Sequence, residues 1–227
     1  LDAVYFHTPN HDLAANCVTL RRRRGGNDEG WHVKLPDGDA GSRGSRSGGA
    51  ESGAARTEIR APLGNTDSHV PSALLDVVRA IVRDRALVPV ARISTARDVT
   101  MLYGNDGTAL AEFCDDTVTA CRINATDGSP ESEQCWREWE LELVDAGVDD
   151  AAGILKRLAN RLHDAGAAAA GHGSKLAKVL GDSTRARPEP PSDPVHRAVA
   201  EQVAALLRWD RAVRADQDDA VHQMRVT

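Results

Sequence analysis

The chain has no apolar run near the roughly 20 residues needed to cross a bilayer, which argues against membrane insertion. Cysteine is scarce. Cys17, Cys114, Cys121 and Cys135 form no CxxC pair and have no histidine at zinc-finger spacing, so neither a disulfide framework nor a metal knuckle is expected. Free thiols in a reducing cytoplasm are the simpler reading. There is no surplus of positive charge either: the formal net charge is -6, which argues against general nucleic-acid binding, although the run Arg21 to Arg24 shows how dense positive charge becomes locally. No initial methionine, basic n-region or apolar h-region opens the chain, so no signal peptide is read, and the start looks cut. The last residues, VHQMRVT, stop inside a helical pattern without a capping signal, so that end is expected to be cut as well.

What the chain does have is charge on alternate positions. Arg21 and Arg23, His32 and Lys34, Glu58 and Arg60, and Glu138, Glu140 and Glu142 each fall at a spacing of two. A β-strand sends alternate side chains to opposite faces, so each stretch gathers its charges on one face and mostly apolar residues on the other. If the apolar faces pack on helices, the charged faces line a pocket suited to a polyanion and a metal ion.

Segments 4–36 read as a strand meander: YF before the Thr8-Pro9-Asn10 turn, then CVTLRRR and WHVKLP around the turn GGNDEG. Residues 37–56 are rich in Gly, Ser, Asp and Arg and are expected to be a flexible loop. TEIRAPL reads as a strand, and PSALLDVVRAIVRDRAL as a helix carrying Leu74, Leu75, Val77, Val78, Ile81 and Val82. Five further strand segments follow, LVPVARIST, DVTMLYG, ALAEFCD, TVTACRI and CWREWELEL, with Asn105-Asp106-Gly107 as a hairpin turn, which implies antiparallel pairing. Helices close the unit, one with Ile154, Leu155, Leu158 and Leu162 on one face and a short one over SKLAKVL. A Pro-rich linker falls at 182–194, and residues 195–227 are helix-forming, with Val199, Val203, Leu206 and Leu207 as an apolar stripe.

YFHTP, TLRRR, WHVKLP, RTEIR, ELEL and SKLAK occur in an order that resembles the CYTH domains of the triphosphate tunnel metalloenzymes, covering residues 1–181. Residues 195–227, with AVHQMR, resemble the start of a CHAD domain, an all-helical module associated with polyphosphate. The resemblance implies an α+β fold: an antiparallel eight-stranded tunnel with flanking helices, its first strand, bearing Glu-x-Glu-x-Lys, falling before Leu1. It also implies hydrolysis of an inorganic or organic triphosphate with Mg2+ or Mn2+. Catalytic roles fall on Arg21, Arg23, Lys34 and Glu58, substrate contacts on Arg21, Arg23, Lys34, Arg60, Arg92, Arg97 and Lys175, and metal ligation on Glu138, Glu140, Glu142, Glu112 and Asp116. His7 departs from the pattern, standing in the YF-x-TP turn where the family has an acid.

The chemistry suits those residue types. Phosphoryl transfer is catalysed by positioning and charge stabilisation, arginine offers phosphate a planar fork, lysine offers a point charge, and hard divalent ions take carboxylate oxygens. An Arg-x-Arg or ELEL strand alone is ordinarily a solvated sheet face, Ser174 before Lys175 an ordinary helix cap, His32 a satisfied neighbour, and His222 with Arg225 a solvated pair on a helix face. Several such strands of complementary sign in one unit favour a charged lumen, with walls expected to stand loose until ligand draws them together. A non-catalytic polyphosphate-binding module and an ATP-cyclising enzyme are the alternatives. Oligomeric state is not legible.

Overall fold

The computed structural model describes residues 1–36, 56–64, 69–124, 126–145, 150–181 and 190–227. Seven strands, β1 (Asp2–His7), β2 (Thr19–Arg24), β3 (Gly30–Pro36), β4 (Arg56–Ala61), β5 (Val88–Tyr103), β6 (Ala109–Arg122) and β7 (Gln134–Leu143), form one sheet in the order β4-β3-β2-β1-β5-β6-β7. Every neighbouring pair is antiparallel. Among the described residues six helices accompany it: α1 (Asp12–Ala15), α2 (Ser72–Val82), α3 (Ala151–Asp164), α4 (Lys175–Leu180), α5 (Pro194–Arg214) and α6 (Ala220–Val226).

The five strand segments expected after α2 fuse into three. LVPVARIST and DVTMLYG are one strand of 16 residues, and ALAEFCD and TVTACRI one of 14. Ala96 and Arg97, which fall between the two expected segments, sit in unbroken register opposite Thr117 and Asp116. The Asn105 to Gly107 turn does join β5 to β6, with Gly107 at φ 82° supplying the left-handed conformation. The short helix α1 was not expected. The anticipated loop 37–56 lies outside the described residues except for Arg56, which opens β4, and so do residues 182–189 of the anticipated linker.

Strand parity sorts the two faces. On one face Phe6, Leu20, Trp31, Val33 and Leu35 pack against Leu13 of α1 and Leu74, Val77, Val78, Ile81 and Val82 of α2. That core is the apolar complement of the alternation, since burial of such side chains stabilises at about 25 cal/mol per Å2. The opposite, inner face is itself divided. Its middle is apolar, with Ala3, Tyr5, Ile93, Val118 and Ala120 covered by Leu176, Val179 and Leu180 of α4. On either side of that floor the inner face is charged.

The N-cap of α4 is Ser174, whose hydroxyl accepts from the Ala177 N–H at 3.1 Å. Helix α3 keeps its apolar stripe only half-buried, along β7. The C-terminal end of α5 packs on α2 and buries Arg211 and Ala212, whereas Val195, Val199, Val203 and Leu206 nearer its start stay exposed. Among the described residues no helix is long and apolar enough to cross a membrane.

Candidate functional site

Two charged clusters stand on the inner face, and pairing register builds both. In the first, Arg97 on β5 lies opposite Asp116 on β6, which lies opposite Glu138 on β7. Glu140 follows two residues on, on the same face. Arg97 donates to both Asp116 oxygens, Nε to Oδ1 and Nη2 to Oδ2 at 2.7 Å each, and also to Glu140. Lys175, the first residue of α4, places its ammonium 2.9 Å from Asp116 Oδ2 and 2.6 Å from Glu138 Oε1, and on Glu140 Oε1. Asp116 is wholly buried. Burial opposes its charge, yet the hydrogen bonds from Arg97 and Lys175 hold its carboxyl below the usual range. Burial likewise opposes the charge of Lys175, and the bonds to Asp116, Glu138 and Glu140 overcome it and raise its pKa.

The second cluster surrounds Glu58. Register sets Lys34 opposite Glu58, His32 opposite Arg60 and Arg21 opposite His32. Arg60 Nη2 donates to Glu58 Oε2 at 2.7 Å, His32 Nδ1 lies 3.0 Å from Oε1, and Lys34 Nζ and Arg21 Nη2 stand at 3.9 and 4.0 Å. Burial pushes the Glu58 carboxyl up, but the Arg60 hydrogen bond, the Lys34 charge and the His32 contact bring it down to about 2. Arg23 pairs with Asp28 from the β2–β3 turn, and burial followed by the nearby Arg21 charge lowers its pKa. Among the described residues, the buried Nε of Arg21 has no hydrogen-bond partner.

Most of the residues expected from the sequence therefore meet. Arg21, Arg23, Lys34, Glu58 and Arg60 fall in one cluster, and Arg97, Asp116, Glu138, Glu140 and Lys175 in the other. Arg92 is a correction. It registers with Val4 and Cys121, on the opposite face from Arg97, and is exposed with a bidentate pair to Asp2. Its odd-to-even offset from Arg97 makes a shared face impossible on one regular strand. Glu112 and Glu142 register with each other on the inner face beyond the trio.

The loose walls expected before ligand binds are a second correction, since the opposed charges have closed on one another as ion pairs. An unpaired ion at these depths would cost several kcal/mol, on the order of the penalty for any desolvated charge.

Several partners escaped the sequence reading. Asp28 reads there only as a turn residue. Trp136 Nε1 donates to Glu138 at 2.7 Å, and His172 Nε2 stands 3.6 Å from the same carboxylate. His172, three residues before Lys175, could have been flagged by proximity; Trp136 shares the Glu138 spacing of two. His7 is buried beneath the β1–α1 connection, its Nε2 accepting from the Ala14 N–H at 3.1 Å. His222 and Arg225 are exposed on α6.

Asp116, Glu138 and Glu140 each offer an oxygen within 4.8 Å of the others. Three carboxylates already gathered around an ammonium are a donor set that fits a hard divalent ion, the ammonium standing in for it.

The family model described as "CYTH domain" matches residues 1–156. Two uncharacterized proteins of Mycobacterium tuberculosis, from strains CDC 1551 / Oshkosh and ATCC 25618 / H37Rv, are each 58% identical over 237 residues, covering 100% of this chain and 43% of the relative. The chain thus spans less than half the length of these relatives. With its basic and acidic clusters on one face of an antiparallel sheet and the family model covering well over half its length, the chain belongs to the CYTH domain family, the triphosphate tunnel metalloenzymes.

Proposed function

We propose that the chain hydrolyses inorganic triphosphate or an organic triphosphate with the help of Mg2+ or Mn2+. The observation that carries this reading is the opposite surplus of charge in the two clusters: Arg21, Arg23, Lys34 and Arg60 outnumber the carboxylates of Glu58 and Asp28 in one, and Asp116, Glu138 and Glu140 outnumber Arg97 and Lys175 in the other. The buried, unpartnered Nε of Arg21 adds a donor waiting for an acceptor.

In this reading Arg21 and Arg23 clamp phosphate oxygens through their planar forks, and Lys34 and Arg60 contribute point and rim charge. Glu58 holds those cations in place, and the incoming phosphate takes over its contacts. Arg97 orients Asp116 and Glu140. Asp116, Glu138 and Glu140 would hold the metal, with Glu112 and Glu142 further out on the same face. The ion supplies charge neutralisation on phosphate oxygens and favours ionisation of water near neutral pH. No side-chain nucleophile is required, because positioning and charge stabilisation do most of the work in phosphoryl transfer.

We also assign α5 and α6 to the start of a CHAD-like, polyphosphate-associated helical module; the AVHQMR motif and the exposed apolar stripe of α5 support it. A non-catalytic polyphosphate-binding role is the second reading, favoured by the closure of the acidic cluster around Lys175. Purified protein incubated with triphosphate and Mg2+ should release orthophosphate, and Arg23→Ala should slow the release by about 10²–10³-fold. Tight, salt-sensitive polyphosphate binding without turnover would select the second reading. From ATP, a cyclic nucleotide with pyrophosphate would instead identify a cyclase.

A further inference from the structure

Lys175 occupies the ground that a metal would need. Its ammonium lies 2.9 Å from Asp116 Oδ2 and 2.6 Å from Glu138 Oε1 and also contacts Glu140. A Mg2+ ion bonds carboxylate oxygens at about 2.0–2.1 Å, so an ion among these same oxygens and an ammonium among them exclude each other. Charge agrees with space. Three carboxylates face Arg97 and Lys175; a divalent ion added to both would leave the cluster net positive, whereas a divalent ion with Arg97 alone balances the three carboxylates.

The backbone allows the exchange. Lys175 is the first residue of α4, and that helix start is fixed independently of the lysine side chain by the Ser174 cap. Leu176, Val179 and Leu180 anchor the helix in the apolar floor. The flexible four-carbon stem can therefore swing about a fixed Cα while the fold stays put.

Resting on the triphosphatase reading, we propose that Lys175 is a tethered counter-ion that the divalent metal must displace, and that its release hands a free cation to the phosphate. Metal and triphosphate then couple: the ion that fills the carboxylates liberates the charge that binds the anion. By linkage, triphosphate that captures the freed ammonium tightens metal binding in return.

Two measurements on the metal-free protein test this. Mn2+ titration followed by the spin resonance of the free ion, without triphosphate, should give Lys175→Met a dissociation constant about tenfold below wild type, because the competent state is no longer shared with the ammonium. Lys178→Met should match wild type, since Lys178 lies over the Trp136 ring, 4.4 Å from its centroid, rather than on the carboxylates. In wild type, amine acylation read by mass spectrometry should be slow at Lys175 without metal and about tenfold faster in saturating Mg2+.

Equal Mn2+ affinity in wild type and Lys175→Met overturns the displacement and leaves the triphosphatase reading standing. Tighter binding by the variant with acylation unchanged by Mg2+ means repulsion without exchange and also overturns it. Absence of Mn2+ binding in both proteins overturns the metal site itself and the displacement with it. The acylation arm needs no variant, so a misfolded Lys175→Met does not rescue the proposal.

Discussion

The Glu58 and Asp116 clusters stand on the same face of one sheet and pair their charges in inverted ratios. Around Glu58, one carboxylate serves Arg21, His32, Lys34 and Arg60; around Asp116, Arg97 and Lys175 serve three carboxylates. The minority partner in each holds the majority in place and mimics the ligand that the majority would bind, a carboxylate for phosphate and an ammonium for metal. The difference explains how a face this charged folds without ligand, and why, under the proposed function, each half would take a ligand of opposite sign.

The largest effect is expected at Asp116. Asp116→Asn leaves Arg97 and Lys175 short of their wholly buried partner, and chemical denaturation should show a loss of about 3 to 5 kcal/mol. A loss below about 1 kcal/mol would mean that Glu138 and Glu140 alone satisfy both cations.

His7 serves as a control outside both clusters. Burial first, and the nearby His11 second, lower its pKa from the usual 6.5 to about 4. The unfolded chain therefore takes up more protons between these values. The contribution of neutral His7 is full above pH 6.5 and is lost as pH falls to about 4, amounting to at most about 3 kcal/mol. Stability measured across that window should flatten in His7→Asn.

Removing the minority carboxylate sharpens the contrast. Glu58→Gln frees the cations around it, so metal-free binding of triphosphate by calorimetry should tighten by about tenfold, or about 1.4 kcal/mol. Wild-type Glu58 should itself stabilise the fold above its ordinary pKa of 4.5, an effect lost as pH falls through about 2. The smallest effect belongs to Arg92→Ala. Its exposed pair with Asp2 on the opposite face is worth about 0–1 kcal/mol, and hydrolysis should stay within about twofold of wild type.

The alternating charges make the two walls legible in the sequence, because a period of two sorts faces wherever a strand stays regular. The same period placed Trp31, Val33 and Leu35 on the helix-covered face. Strand length is less legible: Ala96 and Arg97 fall between two expected strands, and only cross-strand partners on β6 carry β5 through them. Arg92 lies an odd number of positions from Arg97, so the strand period itself sends it to the opposite face. The closing of Lys175 on Asp116, 59 positions away in sequence, depends on how α4 docks, which no local pattern encodes. Asp28 was invisible for a related reason, since a turn acid declares its target only once Arg23 is in reach.

The initial rate of phosphate release from triphosphate with Mg2+, compared for wild type, Arg23→Ala and Arg92→Ala, tests the central claim that the inner face alone carries the chemistry. Wild type and Arg92→Ala should agree within about twofold, and Arg23→Ala should fall by about 10²–10³-fold, the usual cost of removing one charge-stabilising donor. No magnesium-dependent release by wild type, or equal losses in the two variants, would contradict the account.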